Sequence, residues 1–170
     1  MTTLLIHRFP DPLLKQPVRR VERIDENVTR FIESLINTMR HHPRCVGLAA
    51  PQVGSALRIA VMDASGHPKA TASHGLLVLV NPQIDAAEGA LIQREGCLSI
   101  PDFTANVRRA LRVHLTAHDQ LGSAYELWLE GFEAIIAQHE VDHLDGKLFL
   151  DRVANLKMDV FRRKTYLRQH

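Results

Sequence analysis

The apolar residues of this 170-residue chain recur with two different periods. Between Asp25 and Pro43 they return every three or four positions, so a helix over residues 25–40 would bury one face and expose the other. Asp25 suits the N-cap because its carboxylate can accept the first free backbone N–H groups, and Pro43 would stop the helix. The predicted buried face consists of Val28, Phe31, Ile32, Leu35, Ile36 and Met39.

The middle of the chain, residues 57–130, is predicted to consist mainly of β-strands. Residues 57–63 and 75–84 are short apolar runs, separated by a polar loop. Residues 110–118 and 124–130 instead alternate apolar and polar side chains, and the turn sequence DQLGS lies between them. A period of two on both sides of a glycine-containing turn predicts an antiparallel hairpin.

Helical periodicity returns over residues 132–144, between two glycines, and a last helix is predicted over residues 154–168. The helix over 132–144 carries apolar side chains at positions 132, 135 and 136, and the same face continues with His139 and His143. Both histidines are therefore predicted to point into the protein. Strands joined by hairpins, with helices before and after them, predict an α+β fold in a single domain over residues 1–170.

Composition and charge exclude several classes of protein. Apolar residues make up 45% of the chain and charged residues 24%, as in an ordinary globular domain. No apolar run reaches the roughly 20 residues of a membrane span, and a net charge of +2 does not indicate sequence-specific binding of nucleic acid. The first residues lack the apolar core of a secretory signal and two cysteines suit a reducing compartment, so we predict a cytoplasmic protein.

The segment QHEVDHLDG, residues 138–146, contains the candidate chemistry. His139 and His143 are four positions apart, so both rings lie on one face of the helix and can reach one metal ion. Glu140 lies beside them, close enough to act as a general base without being a ligand. Two buried histidines can also simply bond to carbonyl groups in a core, but this spacing, with a glutamate between them, favours a metal site.

The third ligand of such a site could come from several places. An extended zinc-protease motif would need a histidine where the chain has Phe149, and no glutamate follows His143. Cys97 is the best candidate, because one thiolate and two imidazoles form a known catalytic set that leaves a fourth position for water. A lone cysteine is also common as a small buried residue. The set would suit Fe²⁺, Zn²⁺, Co²⁺ or Ni²⁺.

Three stretches together resemble the peptide deformylase family. Residues 47–52 (GLAAPQ), 95–99 (EGCLS) and 138–146 (QHEVDHLDG) match its three motifs in order and in separation. The resemblance implies an α+β fold in which antiparallel strands wrap around a central metal-bearing helix. It also implies the family's reaction, which is the hydrolytic removal of the formyl group from the N-terminal formylmethionine of nascent proteins, with release of formate.

The resemblance further implies catalytic roles for particular residues. The metal, Fe²⁺ in preference to Zn²⁺, Co²⁺ or Ni²⁺, would be bound by Cys97, His139 and His143. Glu140 would be the general base and then the general acid. The Gln52 amide and the backbone N–H of Leu98 would stabilise the oxyanion, although Gln52 taken alone would be interpreted as an amide that braces its loop.

The partners implied by the resemblance are formylmethionyl nascent peptides, with a possible ribosome contact through the basic C-terminal helix. That helix would carry Arg162, Arg163, Lys164 and Arg168. Basic clusters of this kind are more often just a solvated helix face. The residues expected to contact the peptide are Val46, Gly47, Glu95, Gly96, Phe132 and Ile135.

The chain departs from the family pattern at a few positions. Cys45 stands where a glycine is usual, and Thr104 stands where bacterial members typically carry an arginine. Glu133 replaces an apolar residue and is expected in solvent at the mouth of the helix, while Arg109 could pair with Asp142 behind the metal. A paralogue with altered substrate preference, another metallopeptidase and a non-enzymatic, metal-stabilised binding module are the alternatives.

Overall fold

The computed structural model describes residues 3–163. Three helices, eight strands and three short 3-10 segments make up this part of the chain. The helices are α1 (Glu26–His41), α2 (Gly131–Leu144) and the one-turn α3 (Leu156–Asp159). The strands are β1 (Gly47–Ala49), β2 (Ile59–Asp63), β3 (Leu76–Glu88), β4 (Leu91–Cys97), β5 (Ile100–Arg109), β6 (Arg112–His118), β7 (Ala124–Glu130) and β8 (Val160–Arg162). Among residues 3–163, no helix has the length and apolar character needed to cross a membrane.

Two antiparallel sheets enclose the second helix. The larger sheet has the strand order β1-β2-β3-β6-β7, and the smaller has the order β4-β5-β8. Helix α2 packs on β1, β2, β3, β6 and β7. It is buried almost all round, which explains why its sequence shows apolar side chains on more than one face. The predicted α+β class, with strands wrapped around the motif-bearing helix, is confirmed.

Three apolar clusters hold these layers together. The first lies between α2 and the larger sheet, and the second lies between α1 and strands β1 to β3. The third lies beneath the smaller sheet and contains Cys97 together with Leu14 and Phe149. Cys97 therefore sits where a packed core meets the second helix, so its side chain has little freedom to move.

The predicted first helix and the predicted hairpin are both confirmed. Helix α1 begins after Asp25, whose carboxylate accepts the Val28 N–H at 2.9 Å, and it ends before Pro43. Strands β6 and β7 pair in antiparallel register around the predicted turn, with Val113 opposite Leu129. In both places the local pattern was sufficient, because one face of each element is buried along its length.

Strand β3 is longer than the predicted run over 75–84, because it continues through Pro82 to Glu88. The register with β6 shifts between Val80 and Gln83, so Pro82 lies in a bulge where no N–H is needed for the ladder. Asn81 adopts a left-handed backbone with φ of 53° and bonds through its side chain to both backbone groups of Val21. The proline therefore bends the strand without ending it.

The predicted helix over 154–168 is wrong for the residues that the structure describes. Only residues 156–159 are helical, and the chain then forms β8, which pairs with β5 so that Val160 lies opposite Ala105. Val160 packs against the third apolar cluster, and the ring of Phe161 packs against Arg94. A free edge on β5 provided backbone partners that local periodicity could not reveal. Residues 164–168 of that prediction lie outside the described part of the chain.

Candidate active site

Cys97, His139 and His143 come together between the end of β4 and the second half of α2. Their donor atoms all lie within 4.8 Å of one another, and Cys97 Sγ is 3.3 Å from His143 Nε2. Burial disfavours the thiolate, but the two adjacent imidazoles outweigh it and hold the pKa of the Cys97 thiol well below its usual range. The cluster therefore offers one thiolate and two imidazoles, which is the donor set of an open catalytic metal site.

The fit to one metal ion is supported by what surrounds the cluster. Within residues 3–163, no further histidine, cysteine or carboxylate joins the three donors, so a fourth coordination position would be left for water or substrate. His139 Nδ1 bonds to Glu95 Oε2 at 2.8 Å, which directs the opposite ring nitrogen to the cluster. This carboxylate–histidine pair is typical of metal sites, where it fixes the ring and its tautomer.

Glu95 belongs to a buried network of charged side chains behind the cluster. Arg109 donates to both oxygens of Glu95, at 2.7 and 3.0 Å, and also to Asp142. Asp142 in turn accepts from Arg152, so the predicted pairing of Arg109 with Asp142 is confirmed and extended. Burial by itself would raise the pKa of Glu95, but the contacts with Arg109 and then His139 outweigh this effect and lower the pKa to about 2. Glu95 thus stays ionised.

Glu140 lies against the cluster with its carboxylate buried. Within the described chain its Oε2 atom has no hydrogen-bond partner, although it is out of contact with solvent. Burial is the main cause that raises the pKa of Glu140 to about 7, while the two imidazoles lower it. A buried acceptor without a partner, beside an open metal position, is placed to bind a water molecule or a substrate N–H.

Strand β1 passes so close to Glu140 that any side chain at position 47 would force Glu140 to shift. A Cβ atom on residue 47 would lie 2.9 Å from Glu140 Cδ and closer still to Oε1. Gly47 is not among the residues with positive φ, so the requirement is for space rather than for a special backbone conformation. The first and third motifs of the sequence therefore meet at this contact.

Gln52 lies in the 3-10 segment that follows β1 and is buried. Its Oε1 accepts the Ala49 N–H at 2.9 Å, which leaves the amide nitrogen directed at Cys97 Sγ, 3.2 Å away, and at Ser99 Oγ, 3.3 Å away. The Gln52 side chain therefore does brace its own loop, and it also points an N–H donor at the cluster. Leu98 occupies the turn between Cys97 and Ser99, so its backbone adjoins the same space.

The other residues predicted to contact substrate lie on or next to β1, β4 and α2, the elements that also carry the cluster and Glu140, and one of them has a different role. Gly96 is exposed at the end of β4, Val46 precedes β1, and Phe132 and Ile135 lie in the first turns of α2. Both oxygens of Glu95 are already used by Arg109 and His139, so only its backbone is free to meet a ligand. Glu95 and Cys97 are two residues apart on one strand, so their side chains share its inward face. This spacing was the signal in the sequence that Glu95 could orient a ligand of the metal.

One expectation at an unusual position is wrong, and a second unusual position gains a structural description. Glu133 is not in solvent: it is 3% exposed, and its oxygens accept from the backbone N–H and Nδ1 of His74 at 2.8 and 2.7 Å. The local pattern could not reveal that the loop before β3 folds over α2. Cys45 is half-buried and its thiol donates to the Gly47 carbonyl at 3.1 Å, while burial and Glu140 raise the pKa of the thiol to about 12.

Comparison with known proteins places this arrangement in a family. The sequence model of the Polypeptide deformylase family matches residues 3–159. A peptide deformylase of Syntrophobacter fumaroxidans is 40% identical over 164 residues, which are 96% of this chain and 94% of that protein. One from Aquifex aeolicus is 43% identical over 145 residues, 85% of this chain and 84% of that protein.

Solved structures agree with the sequence matches. The peptide deformylase of Thermotoga maritima superimposes with a TM-score of 0.83 at 36% identity, covering 91% of this chain and 100% of that one. The Acinetobacter baumannii class I type b peptide deformylase, solved with Met-Ala-Ser bound, gives 0.83 at 30% identity, covering 89% and 99%. This chain belongs to the polypeptide deformylase family, the hydrolases that remove the formyl group from the N-terminus of nascent peptides.

Proposed function

We propose that this deformylase depends on one divalent metal ion held by Cys97, His139 and His143, and that Glu140 carries the proton in the reaction. The single observation behind the proposal is the convergence of one sulfur and two imidazoles beside a buried carboxylate whose Oε2 has no partner among the described residues. When bound, a divalent ion would lower the pKa of water at the open position and polarise the formyl carbonyl.

Glu140 is the proton carrier in this proposal. It accepts a proton from the water that attacks the formyl carbon, and it delivers that proton to the methionine nitrogen as the carbon–nitrogen bond breaks. Formate and a free α-amino group are the products. A pKa raised to about 7 by burial keeps both protonation states accessible near neutral pH. Proton transfer of this kind typically contributes about 10²- to 10⁴-fold to the rate.

Gln52 and Leu98 supply hydrogen-bond donors for the oxygen that gains negative charge. The Gln52 amide nitrogen is already held toward the site, because its oxygen is bonded to the Ala49 N–H. A donor that is fixed before the reaction need not be reoriented during it, which is the basis of oxyanion stabilisation. Loss of one such donor usually costs roughly 3–4 kcal/mol of transition-state stabilisation.

The formylmethionyl peptide is proposed to lie in an extended form between two strand edges. Strand β1 is at the end of the larger sheet and β4 is at the end of the smaller one, so each has an edge without a strand partner in the described chain. Backbone groups of Val46, Gly47, Glu95 and Gly96 could pair with the peptide as an added strand. The Acinetobacter baumannii structure with Met-Ala-Ser bound supports a peptide in the cleft.

The methionine side chain is proposed to enter the apolar space beside the first turns of α2, bordered by Val46, Phe132 and Ile135. Phe132 is covered from outside by His67, whose ring stacks on it at 4.3 Å, and by Lys69, 5.8 Å from the ring centre. The segment after β2, which carries His67 and Lys69, is therefore proposed to form one wall of this space. A flexible, apolar methionine fits such a wall of aromatic and aliphatic groups.

We also propose which metal ion is native, where the protein acts and what it contacts. Fe²⁺ is the proposed native ion, and Zn²⁺, Co²⁺ or Ni²⁺ would also suit the donor set. A cytoplasmic location agrees with two cysteines that are both free thiols. Contact with the ribosome was expected from a C-terminal helix, of which only residues 156–159 are helical in the described chain, so the basic residues after 160 are the part to test.

The direct test is formate release from a formyl-Met peptide by anaerobically prepared, metal-loaded protein. The Glu140→Gln variant should fold, bind one ion and lose most of the activity. Activity retained by that variant would refute the role of Glu140. Cleavage of internal peptide bonds without formate release would favour another metallopeptidase, and neither reaction would favour the metal-stabilised binding module.

A further inference from the structure

An arginine from the end of the described chain lies on the strand that contributes the metal-binding cysteine. The guanidinium of Arg163 occupies the space that a side chain at position 96 would need: a Cβ atom there would lie 3.4 Å from Arg163 Cζ and closer still to Nη2. Gly96 directly precedes Cys97. A fixed positive charge therefore lies one residue from the candidate metal ligand, on the outer side of β4.

The architecture of the smaller sheet explains how the arginine reaches this place. Gly96 pairs with Thr104 on β5, and Thr104 pairs with Phe161 on β8, so these three residues form a row across the outer face. The Arg163 N–H bonds to the Asp102 carbonyl at 2.8 Å, which anchors the chain just beyond β8. Glycine and threonine are small, so a long side chain can cross the row to the far strand.

A second arginine shares this face. Arg94 lies two residues before Gly96 on β4, and its guanidinium carbon is 3.7 Å from the centre of the Phe161 ring. Among the described residues, neither Arg94 nor Arg163 forms an ion pair with a carboxylate within 4.0 Å, and both are exposed. Two guanidinium groups without a carboxylate partner in the described chain therefore lie on the outer face of the smaller sheet, that of Arg163 at Gly96 and that of Arg94 over Phe161.

We infer that Arg163 is a specificity residue of the peptide site, and that it favours a carboxylate side chain on one of the two residues after the formylated methionine. The inference rests on the proposed binding of the peptide along β4. In an extended peptide, alternate side chains point to the same face as Gly96, so one of these residues would meet the guanidinium. Arginine suits the role because its planar fork can donate two hydrogen bonds to one carboxylate.

The test compares peptides that differ only in charge. The substrates are formyl-Met-Glu-Ala and formyl-Met-Ala-Glu, each with its glutamine counterpart, and all four have amidated C-termini so that no other carboxylate is present. We expect the better glutamate peptide to exceed its glutamine counterpart in kcat/KM by roughly two- to fivefold, the range found for exposed ion pairs. The difference should lie in KM and should shrink as salt is added.

Three variants separate the specific contact from the general charge. Arg163→Gln should abolish the preference, so that each glutamate peptide falls to the kcat/KM of its glutamine counterpart. Arg162→Gln is the matched control, because it removes the same charge from the adjacent exposed residue, which is opposite Phe103 rather than in the Gly96 row. It should leave the preference intact. Arg163→Lys keeps a charge without the fork and should retain part of the preference.

Several outcomes would overturn the inference. It fails if the native chain releases formate but shows no preference for either glutamate peptide, or if Arg163→Gln and Arg162→Gln lower the preference equally. It also fails if Arg163→Gln lowers the melting temperature and slows all four peptides alike, because the side chain would then only brace the sheet. Absence of formate release from every peptide would instead refute the proposed function, so the two failures can be told apart.

Discussion

The contact between Gly47 and Glu140 leads to a sharp prediction, because the two residues come from different motifs and meet without spare room. In Gly47→Ala, the new methyl group would lie 2.9 Å from Glu140 Cδ and 3.0 Å from Cγ, whereas ordinary carbon–carbon contacts are about 3.5–4.0 Å. The methyl group would thus lie about 0.6 Å too close to Cδ, and the overlap with Oε1 would be larger still. The helix that carries Glu140 is packed on every side and cannot shift easily. The carboxylate itself must therefore move, by about 1 Å.

A displacement of this size can be converted into an expected loss of activity. Misplacing a catalytic group by about 1 Å can reduce the rate by about 10²-fold. That corresponds to roughly 2.7 kcal/mol of transition-state stabilisation. The backbone at position 47 is not in the left-handed region, so alanine should add no conformational strain there. Metal content should remain the same, because Glu140 is not one of the three proposed ligands.

The assay is formate release measured alongside metal content and thermal unfolding, with Glu140→Gln as a second background. If alanine acts only by moving the carboxylate, it should cost little further activity once Glu140 has been replaced. The reasoning is refuted if Gly47→Ala stays within threefold of the parent in kcat/KM. It is also refuted if the effects of the two substitutions simply multiply.

Other predictions follow from the buried charges. Arg109→Met should lower the free energy of unfolding by about 3–5 kcal/mol in urea titrations, since it removes the guanidinium that pairs with buried Glu95 and one of the two that pair with buried Asp142, whereas Arg108→Met on the exposed neighbour should have little effect. His74→Ala should cost about 1–3 kcal/mol by the same measurement, since it leaves an oxygen of buried Glu133 unpaired; no loss would contradict that contact. Asp151→Asn should destabilise at pH 7, because the Leu148 N–H and Lys15 lower the pKa of the exposed Asp151 carboxyl, although partial desolvation raises it; the cost should shrink as the pH falls below about 3.9 and disappear below the lowered pKa, and a pH-independent cost would contradict the assignment.

Local patterns predicted well those elements whose own sequence shows which face is buried and where the element ends. Helix α1 has its cap and its apolar face within sixteen residues, and the β6–β7 hairpin has a turn between two alternating strands. Helix α2 was recognisable both from its period and from the histidine spacing. In each case the information lay within one short, continuous segment of the chain.

The errors came from contacts between distant segments. Glu133 was expected in solvent, but His74, 59 residues earlier, folds over it and satisfies both oxygens. The last helix was expected to continue, but the free edge of β5 turned residues 160–162 into a strand. The strand over 75–84 was expected to be short, but a bulge lets it continue through Pro82 to Glu88. None of these partners can be identified from local periodicity.

By itself, the sequence determined the chemical groups of the site: two histidines and a glutamate at helical spacing, and a cysteine and a glutamine in separate motifs. The resemblance to a known family then indicated a role for each of them. Only the tertiary structure decided how these groups act together. It placed Cys97 Sγ beside His143, fixed His139 through Glu95 and Arg109, pressed Glu140 against Gly47, and laid Arg163 on Gly96. Spacing along a helix is set by covalent geometry, whereas the approach of separate strands depends on how the whole chain packs.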